Sequence, residues 1–214
     1  MLPQNMKLIA HRGYWLVPAE KNSEAAFTRA LAHGFGIETD FRDLNGTLVI
    51  AHDVPVDGAM TAAHFAQLFR AHPVTAPMAL NVKSDGLYSL MEDFIRGSAM
   101  PDHFVFDMSV PDTRGYLAKN IPVFTRLSEY ETAPAFLPQS RGVWLDAFES
   151  EWYNAGTIQQ LLAQGKQVAI VSPELHRRPH LGLWEMLRTN ALHTNPNISL
   201  CTDFPLDAKD YFHA

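Results

Sequence analysis

Ionisable residues stand at the ends of three apolar runs near the start of the sequence. The first run ends in His11 and Arg12, the second contains Glu38 and Asp40, and the third ends in His52. Buried strands often carry functional side chains where they leave the core, because the rigid scaffold positions the loops there. This pattern predicts a polar site assembled from the ends of separate strands.

Glu38 and Asp40 are separated by one residue in a run that reads as a strand. Because strand side chains alternate between faces, we expect both carboxylates on the same side. Adjacent carboxylates raise each other's proton affinity unless a cation or strong donors lie between them, and a hard divalent cation is the simplest such partner. The pair therefore predicts a site for Mg²⁺ or Ca²⁺, although a solvated strand end has the same pattern.

His11 and His52 lie on either side of this carboxylate pair in the sequence. Histidine is the usual residue for proton transfer near neutral pH, so two of them beside a metal indicate one acid and one base. Arg12 adds a planar cation suited to phosphate or carboxylate. A single histidine is more often a bystander, and the occurrence of all these residues close together in the sequence is what favours a catalytic site.

Several motifs around these positions are similar to those of the glycerophosphodiester phosphodiesterase family. They are His11-Arg12-Gly13, Asn22-Ser23 with Ala26-Phe27 and Ala30, Glu38-Thr39-Asp40, Gly46 before Leu48-Val49, His52-Asp53, and Thr202-Asp203-Phe204-Pro205 near the end. The resemblance implies a (β/α)8 barrel in which paired histidines do acid/base work. It also implies that three acidic side chains bind a divalent cation.

The sequence departs from the family pattern at the third of these acidic positions. The family has an acidic residue two before a lysine, whereas this sequence reads Asn81-Val82-Lys83. An asparagine still offers a carbonyl oxygen to a hard cation, but it brings no negative charge. We therefore expect Glu38, Asp40 and Asn81 to form the metal site, with a lower affinity than three carboxylates would give.

Four further residues are candidates for binding the substrate. Arg12 and Lys83 are suited to clamp a phosphate, and Arg126 directly follows the fifth predicted strand. Trp144 lies on the sixth predicted strand and is suited to contact the face of a sugar, although aromatic packing in the core explains it equally well.

The repeated alternation of apolar and helical segments predicts the fold. Eight strands are expected at residues 7–10, 35–41, 78–83, 103–108, 121–125, 142–147, 167–171 and 198–201. Strands that alternate with helices form a parallel sheet, and eight such units indicate closure into a TIM barrel. Asn45-Gly46 is a turn signal that predicts a small hairpin arm after the second strand. We expect a single α/β domain over residues 1–214.

Composition limits the classes of partner. The chain has 17 basic and 23 acidic residues and a formal net charge of −6. This balance, without a run of lysine and arginine, argues against nucleic acid as a partner. The substrate is expected to be a small phosphodiester, and because the net charge opposes an anion, local cations must attract it.

The sequence also bears on the compartment. No apolar run approaches the length of a membrane span, and residues 1–7 contain no stretch of signal-peptide length, so we expect a cytoplasmic protein. The single cysteine, Cys201, lies in an apolar run and is expected to be a small core residue.

Other ionisable residues also follow predicted strands. For Asp107, Asp146, Glu174 and Asp203 the pattern favours helix capping or ion pairing over chemistry. Among the remaining histidines, His176 is notable because it lies in the loop after the seventh predicted strand.

These features are compatible with three functions. The leading hypothesis is a metal-assisted phosphodiester hydrolase that uses His11 and His52 on a glycerophosphodiester-like, sugar or lipid head-group substrate. A lyase that stops at a cyclic phosphate would use the same residues. The third is a barrel that binds a phosphorylated ligand without turnover, for which Asn81 is the motive because one charged metal ligand is missing.

Overall fold

The computed structural model describes residues 5–213, so residues 1–4 and 214 of the expected domain lie outside it, as does the side chain of His213. The strands are β1 Lys7–His11, β2 Gly36–Leu44, β3 Thr47–Ile50, β4 Met78–Val82, β5 His103–Phe106, β6 Phe124–Leu127, β7 Gly142–Leu145, β8 Gln167–Val171 and β9 Ile198–Thr202. The helices are α1 Glu24–Ala32, α2 Ala62–Ala71, α3 Tyr88–Ser98, α4 Val110–Ala118, α5 Ala155–Ala163, α6 Leu181–Thr189 and α7 Pro205–His213.

The chain forms two compact units, one comprising Ala10–Val123 and the other comprising the residues up to Ile9 together with those from Phe124 onward. In the first unit the parallel strands follow the order β5, β4, β2, with the end of β1 beside β2. In the second they follow the order β9, β8, β7, β6, with the start of β1 beside β9. Eight parallel strands that alternate with helices are the (β/α)8 barrel topology, so the predicted fold class is confirmed.

Local sequence signals explain where α1 begins and ends. Ser23 has an extended backbone and its hydroxyl accepts the Ala26 N–H at 3.2 Å, which caps the first turn. Ala26, Phe27, Ala30 and Leu31 form the buried face of the helix. Gly34, just beyond the end of the helix, has φ of +79° and lets the chain turn towards β2.

β3 pairs with β2 in antiparallel register, from Phe41 opposite Ile50 to Leu44 opposite Thr47. Asn45 and Gly46 connect the two strands with φ of 52° and 79°. Positive φ at both central residues is typical of the tight hairpin turn whose twist matches that of the strands, and asparagine followed by glycine favours it.

Two strand boundaries differ from the predictions in ways that matter for the polar residues. β6 begins at Phe124 rather than at residue 121, so Arg126 lies within the strand and not after it. Pro122 lacks an N–H for a strand ladder, which helps to explain the later start. β5 ends at Phe106 because Asp107 takes a left-handed conformation with φ of 70°.

Apolar side chains from strands and helices fill the interior of both units. Ile9, Phe27, Ile37, Phe65 and Leu80 are completely buried, as expected for strands covered by helices. Cys201 is fully buried in β9, in agreement with its predicted place in the core. Within the described residues, no helix combines the length and apolar character required to cross a membrane.

Candidate active site

The register of two parallel strands brings the central polar residues together. Asp40 on β2 lies directly opposite Asn81 on β4, and Glu38 lies opposite Ala79. Side chains at registered positions of neighbouring strands project to the same face, as do residues two apart on one strand. The three predicted metal ligands therefore share one face of the sheet in the unit Ala10–Val123.

Asp40 is surrounded by donors although its side chain is 1% exposed. Arg12 Nε lies 3.2 Å from Asp40 Oδ2, and Lys83 Nζ lies 3.5 Å from Oδ1. Asn22 Nδ2 also donates to Oδ2 at 2.9 Å, and the Thr39 hydroxyl donates to Asn22 Oδ1 at 2.8 Å. Asp40 is thus a buried carboxylate with two cationic side chains and one amide donor beside it.

Glu38 has a different environment. Asn81 Nδ2 donates to Oε1 at 3.1 Å, the Arg12 backbone N–H lies 3.3 Å from Oε2, and His11 Nε2 lies 3.9 Å from Oε2. Burial and the negative charge of Asp40 raise the pKa of Glu38 to about 7, while His11, Asn81 and Lys83 act to lower it. Glu38 can therefore gain or lose a proton near neutral pH when no metal is bound.

The backbone at Arg12 explains how one residue reaches both carboxylates. Arg12 has φ of 56°, an uncommon conformation for a residue with a side chain. Its N–H points at Glu38, where it also donates to the backbone oxygen at 2.8 Å, while its guanidinium lies beside Asp40. Strained backbone of this kind is often found at functional sites.

The oxygen atoms of this cluster suit a hard cation. Asn81 Oδ1 and Asp40 Oδ1 are buried and accept no hydrogen bond, although Lys83 forms an ion pair with Asp40. Among the described residues, no group of three or more His, Cys, Asp and Glu could hold a metal ion. The candidate ligand set is instead two carboxylates and one amide, all with oxygen atoms of the type that Mg²⁺ and Ca²⁺ bind.

The two predicted catalytic histidines differ in exposure. The His11 side chain is 14% exposed and lies beside Glu38, whereas the His52 side chain is 43% exposed and its Nδ1 lies 2.9 Å from Asp53 Oδ1. The His52 loop is attached to β2, because the Ala51 N–H donates to Asp40 O at 3.0 Å and Arg42 Nε donates to His52 O at 3.1 Å. Both histidines thus contact β2: the His11 side chain lies near Glu38, and the His52 backbone oxygen accepts a hydrogen bond from Arg42.

Lys83 links the carboxylate pair to the end of the next strand. Its ammonium group lies 3.5 Å from Asp40 Oδ1 and 3.6 Å from Asp107 Oδ2, and its N–H donates to Phe41 O at 2.9 Å. The ion pair agrees with the pairing expected for Asp107. Lys83 therefore has a fixed position with two anionic neighbours.

Arg126 and Trp144 belong to the other unit, where they are registered neighbours on β6 and β7. Trp144 is 4% exposed, which agrees with the packing role that the sequence also allowed. Arg126 Nη1 lies 3.6 Å from Asp146 Oδ2, and its guanidinium lies over the Phe148 ring at 5.0 Å. Substrate binding by Arg126 and Trp144 stays a prediction.

Two acidic residues of this unit, Asp146 and Glu174, have polar partners. Asp146 Oδ1 lies 2.7 Å from His176 Nε2, so the histidine singled out in the sequence has a buried carboxylate partner. Glu174 Oε1 accepts the Thr202 hydroxyl and, at 3.1 Å, the Asp203 N–H. Glu174 Oε2 also lies 3.9 Å from His180 Nδ1, so both acidic residues have an ion-pair partner of the kind expected, while the two hydrogen bonds of Glu174 to Thr202 and Asp203 were not predicted.

Asn22 is a site residue whose role sequence reasoning missed. The sequence places it only within a family-like motif, whereas in the structure Ser23 caps the helix and Asn22 joins Thr39 to Asp40. Its backbone has φ of 58°, and its side chain contacts β2 through Thr39 and Asp40. An asparagine immediately before a serine cap was the available signal, since asparagine tolerates the left-handed conformation.

Comparisons with known proteins were made with sequences and with folds. Neither the family models nor the curated proteins include a match to the chain. Solved structures do match. A glycerophosphodiester phosphodiesterase from Agrobacterium tumefaciens is 17% identical, with a TM-score of 0.67 over 97% of this chain and 98% of that chain.

Two other structures resemble this one over nearly their whole length. An Oleispira antarctica phosphodiesterase in complex with the product sn-glycerol-3-phosphate is 13% identical, with a TM-score of 0.69 over 98% of both chains. A Ca²⁺-dependent phosphatidylinositol-specific phospholipase C from Streptomyces antibioticus is 12% identical, with a TM-score of 0.53 over 97% of this chain and 96% of that chain. At these identities the likeness shows the fold, which is the fold that the family resemblance implied.

Proposed function

We propose that the protein is a metal-assisted phosphodiester hydrolase that acts on a glycerophosphodiester-like, sugar or lipid head-group phosphodiester. The observation that carries this proposal is the cluster of Glu38 and Asp40, both buried, with His11, Arg12 and Lys83 around them. The likeness to phosphodiesterases of the same fold supports it. Buried carboxylates, cations and a histidine on one sheet face are the components that phosphodiester hydrolysis requires.

Arg12 and Lys83 are proposed to bind the phosphate. Both are about one-fifth exposed and both already contact Asp40, which holds them in place. A guanidinium presents several N–H donors in one plane, and an ammonium provides a compact charge, so together they suit the oxygens of a phosphodiester. They would also attract an anionic substrate locally in a protein of net charge −6.

Glu38, Asp40 and Asn81 are proposed to hold a divalent cation, Mg²⁺ or Ca²⁺. When bound, such a cation offsets negative charge on a phosphate oxygen and lowers the pKa of a neighbouring hydroxyl or water. Asn81 Nδ2 donates to Glu38 Oε1, and its buried Oδ1 would be available to a bound cation. Replacing a third carboxylate by an amide lowers the negative charge of the site and hence its affinity.

His11 and His52 are proposed to move the protons. One takes a proton from the attacking hydroxyl or water as the new P–O bond forms, and the other protonates the oxygen of the leaving alcohol as its P–O bond breaks. Glu38 Oε2 lies 3.9 Å from His11 Nε2, and Asp53 Oδ1 lies 2.9 Å from His52 Nδ1. Each histidine therefore has a neighbouring carboxylate that can orient its ring.

A barrel that binds a phosphorylated ligand without turnover is the second candidate. Asn81 favours it, because one of the charged metal ligands of the family is missing, and so does the present engagement of Asp40 with Arg12 and Lys83. Plain binding requires no acid/base pair, and the presence of both histidines favours the hydrolase.

The test follows hydrolysis of bis(p-nitrophenyl) phosphate and of a glycerophosphodiester, with Mg²⁺, with Ca²⁺ and with a chelator. We expect metal-dependent turnover that falls about 10²–10⁴-fold in His11→Ala and in His52→Ala, since each removes one proton-transfer group. His72→Ala, which changes an exposed histidine after α2, serves as the control and should keep full activity.

Phosphorus NMR of the same reactions distinguishes the candidate functions. The hydrolase releases an open phosphate monoester, whereas a lyase accumulates a cyclic phosphate. Undiminished activity in either histidine variant contradicts the proposed roles. Binding of sn-glycerol 3-phosphate without turnover of any diester supports the binding barrel instead.

A further inference from the structure

A cavity lies between β3 and the helices α2 and α3. It has a volume of about 330 Å³, which is within the range of small-molecule sites, and its lining residues all belong to the unit Ala10–Val123. Glu38, Asp40 and Asn81 do not line it. The cavity is therefore separate from the carboxylate cluster of the candidate active site.

The wall of the cavity is mainly apolar. Leu48 on β3, Ala62 and Ala66 on α2, and Phe94 on α3 all contribute to it. Leu48 and the two alanines are buried, and Phe94 is half-buried. Because alanine side chains are small, they leave room beside the Phe94 ring for a flat ring or a short branched chain.

A cationic side chain lies at the rim of the cavity. Arg70 Nη1 donates to Gly97 O at 3.0 Å, which holds the guanidinium of α2 against α3. A guanidinium has five N–H donors in one plane, and those that remain suit the two oxygens of a carboxylate. Asp93 also lines the cavity, but Arg96 lies 3.7 Å from its carboxylate and offsets its charge. The charges of the rim therefore favour a small anion.

The cavity also contacts the hairpin that leads to His52. β3 forms one side of it, and Thr61, on another side, forms an isolated bridge with Val49 of β3. The Ile50 N–H donates to Met60 O at 2.8 Å and closes the loop that contains His52. A molecule that contacts β3, α2 and α3 together opposes their separation, because its binding site is lost when they separate.

We propose that this cavity binds a small amphipathic carboxylate, with its apolar group against Phe94 and its carboxylate on Arg70, and that the bound molecule holds β3 against α2 and α3. The loop that contains His52 begins where β3 ends. Such a ligand therefore restricts this loop without entering the candidate active site. The proposal is independent of the proposed reaction, since binding and loop opening are measured without substrate.

The first measurement is a titration of the wild type with phenylacetate, followed by two-dimensional amide NMR. We expect saturable shifts of the amide signals of Leu48, Ala63 and Gly97, which line the cavity, with a Kd of about 1 mM for a ligand of about ten heavy atoms. Acetate has the charge without the ring, and 2-phenylethanol has the ring without the charge. Each should bind at least about tenfold more weakly than phenylacetate.

Two variants test the two parts of the ligand. Arg70→Gln should weaken phenylacetate binding about tenfold, as expected for a lost hydrogen bond between charged groups, whereas Arg114→Gln, which changes an exposed arginine on α4, should not. Ala63→Phe places a large side chain at an exposed position of the cavity wall and should abolish binding. Ala71→Phe is its matched control, because Ala71 is exposed on the same helix and does not line the cavity. Circular dichroism should show that all four variants are folded.

Amide hydrogen exchange tests whether the ligand holds β3 in place. With phenylacetate at about ten times its Kd, exchange of the Ile50 amide should slow about tenfold in the wild type and not in Ala63→Phe. Exchange that bound phenylacetate leaves unchanged overturns this part of the proposal.

The binding site itself is overturned if the wild type does not bind phenylacetate, or if Ala63→Phe and Ala71→Phe bind it equally well. Unchanged affinity in Arg70→Gln contradicts the place of the carboxylate. Concentration-dependent dimerisation that Ala63→Phe prevents, without binding of phenylacetate, would show that the cavity is an interface between two copies of the chain instead.

Discussion

Asn81 determines how much negative charge the proposed cation site carries. Its Nδ2 donates to Glu38 while its buried Oδ1 accepts no hydrogen bond. A carboxylate at this position would provide more charge for a cation but would repel Glu38 and Asp40 when the cation is absent. An amide at this position is therefore expected to give the proposed site a lower cation affinity, and the metal-free protein a higher stability, than a carboxylate would.

Asn81→Asp should therefore bind Ca²⁺ and Mg²⁺ at least about tenfold more tightly, because each added ligand charge strengthens binding of a hard cation. With a chelator present, the same variant should be less stable by roughly 1–3 kcal/mol, since it loses a donor to Glu38 and gains a repulsive charge. Calorimetry measures the affinity and urea unfolding measures the stability.

Asn197→Asp is the control for the added charge, because Asn197 is exposed. Asn197→Asp should change the cation affinity and the free energy of unfolding much less than Asn81→Asp does. If Asn81→Asp binds cations no better than Asn197→Asp, the three residues are not the metal ligands.

Glu38 should make the stability of the metal-free protein depend on pH. Its pKa is raised from 4.5 to about 7 in the folded protein, so between these values the folded state holds more protons than the unfolded state. The contribution of Glu38 to the free energy of unfolding therefore falls as the pH rises from about 4.5 to 7, by up to about 1.4 kcal/mol per pH unit.

The measurement is urea unfolding of the wild type and of Glu38→Gln in chelator between pH 4.5 and 8. The difference in the free energy of unfolding, wild type minus variant, should decrease with rising pH and level off above about 7. A difference that increases over this range would mean that the Glu38 pKa is lowered.

At the scale of elements, the loop after β1 is held against the first turn of α1. The Tyr14 N–H donates to Ala26 O at 3.0 Å, and Gly13 has φ of 85° at the point of closest approach. A Cβ at Gly13 would lie 2.8 Å from the backbone carbon of Ala26. Only glycine satisfies both the left-handed conformation and this contact, and it thereby positions His11 and Arg12.

Gly13→Ala should lower the free energy of unfolding by roughly 2–4 kcal/mol, because left-handed strain and overpacking add together. Gly34→Ala is a matched control: Gly34 has φ of 79°, but a Cβ there would meet no atom within 4 Å. It should cost only the conformational strain, about 1–2 kcal/mol. Urea unfolding of the two variants separates the cost of the left-handed backbone from the cost of the contact with Ala26. If both variants lose the same free energy of unfolding, the close packing at Gly13 is contradicted.

At the scale of the whole molecule, binding of a cation should stabilise the folded chain. A ligand that binds only the folded state adds about 2.7 kcal/mol at a concentration of 100 Kd. We expect Ca²⁺ or Mg²⁺ to raise the melting temperature of the wild type and not that of Asp40→Asn, which lacks one charged ligand. Calorimetric melting curves with and without chelator measure the effect.

Asp43→Asn is the control for this comparison, since Asp43 lies on the same strand but is exposed. The cation should raise the melting temperature of Asp43→Asn by as much as it raises that of the wild type. A cation response that survives in Asp40→Asn would place the binding site elsewhere.

The fold could be predicted because its signals are local and repeated. The apolar runs of the strands, the Asn45-Gly46 turn and the glycines after helices each depend on nearby residues. The start of β6 could not be predicted, because pairing with β7 determines which residues join the ladder. For the same reason the place of Arg126 inside that strand was missed.

The sequence by itself determined which residues are available for chemistry: two histidines, two carboxylates one residue apart, an arginine next to a histidine, and an asparagine two before a lysine. Alternation along a strand also determined that Glu38 and Asp40 share a face. Only the tertiary structure decided that Asn81 lies opposite Asp40, that Asn22 orients Asp40, and that burial raises the pKa of Glu38. Register, hydrogen bonding between distant residues and loss of solvent depend on how separate segments pack, and no local pattern specifies them.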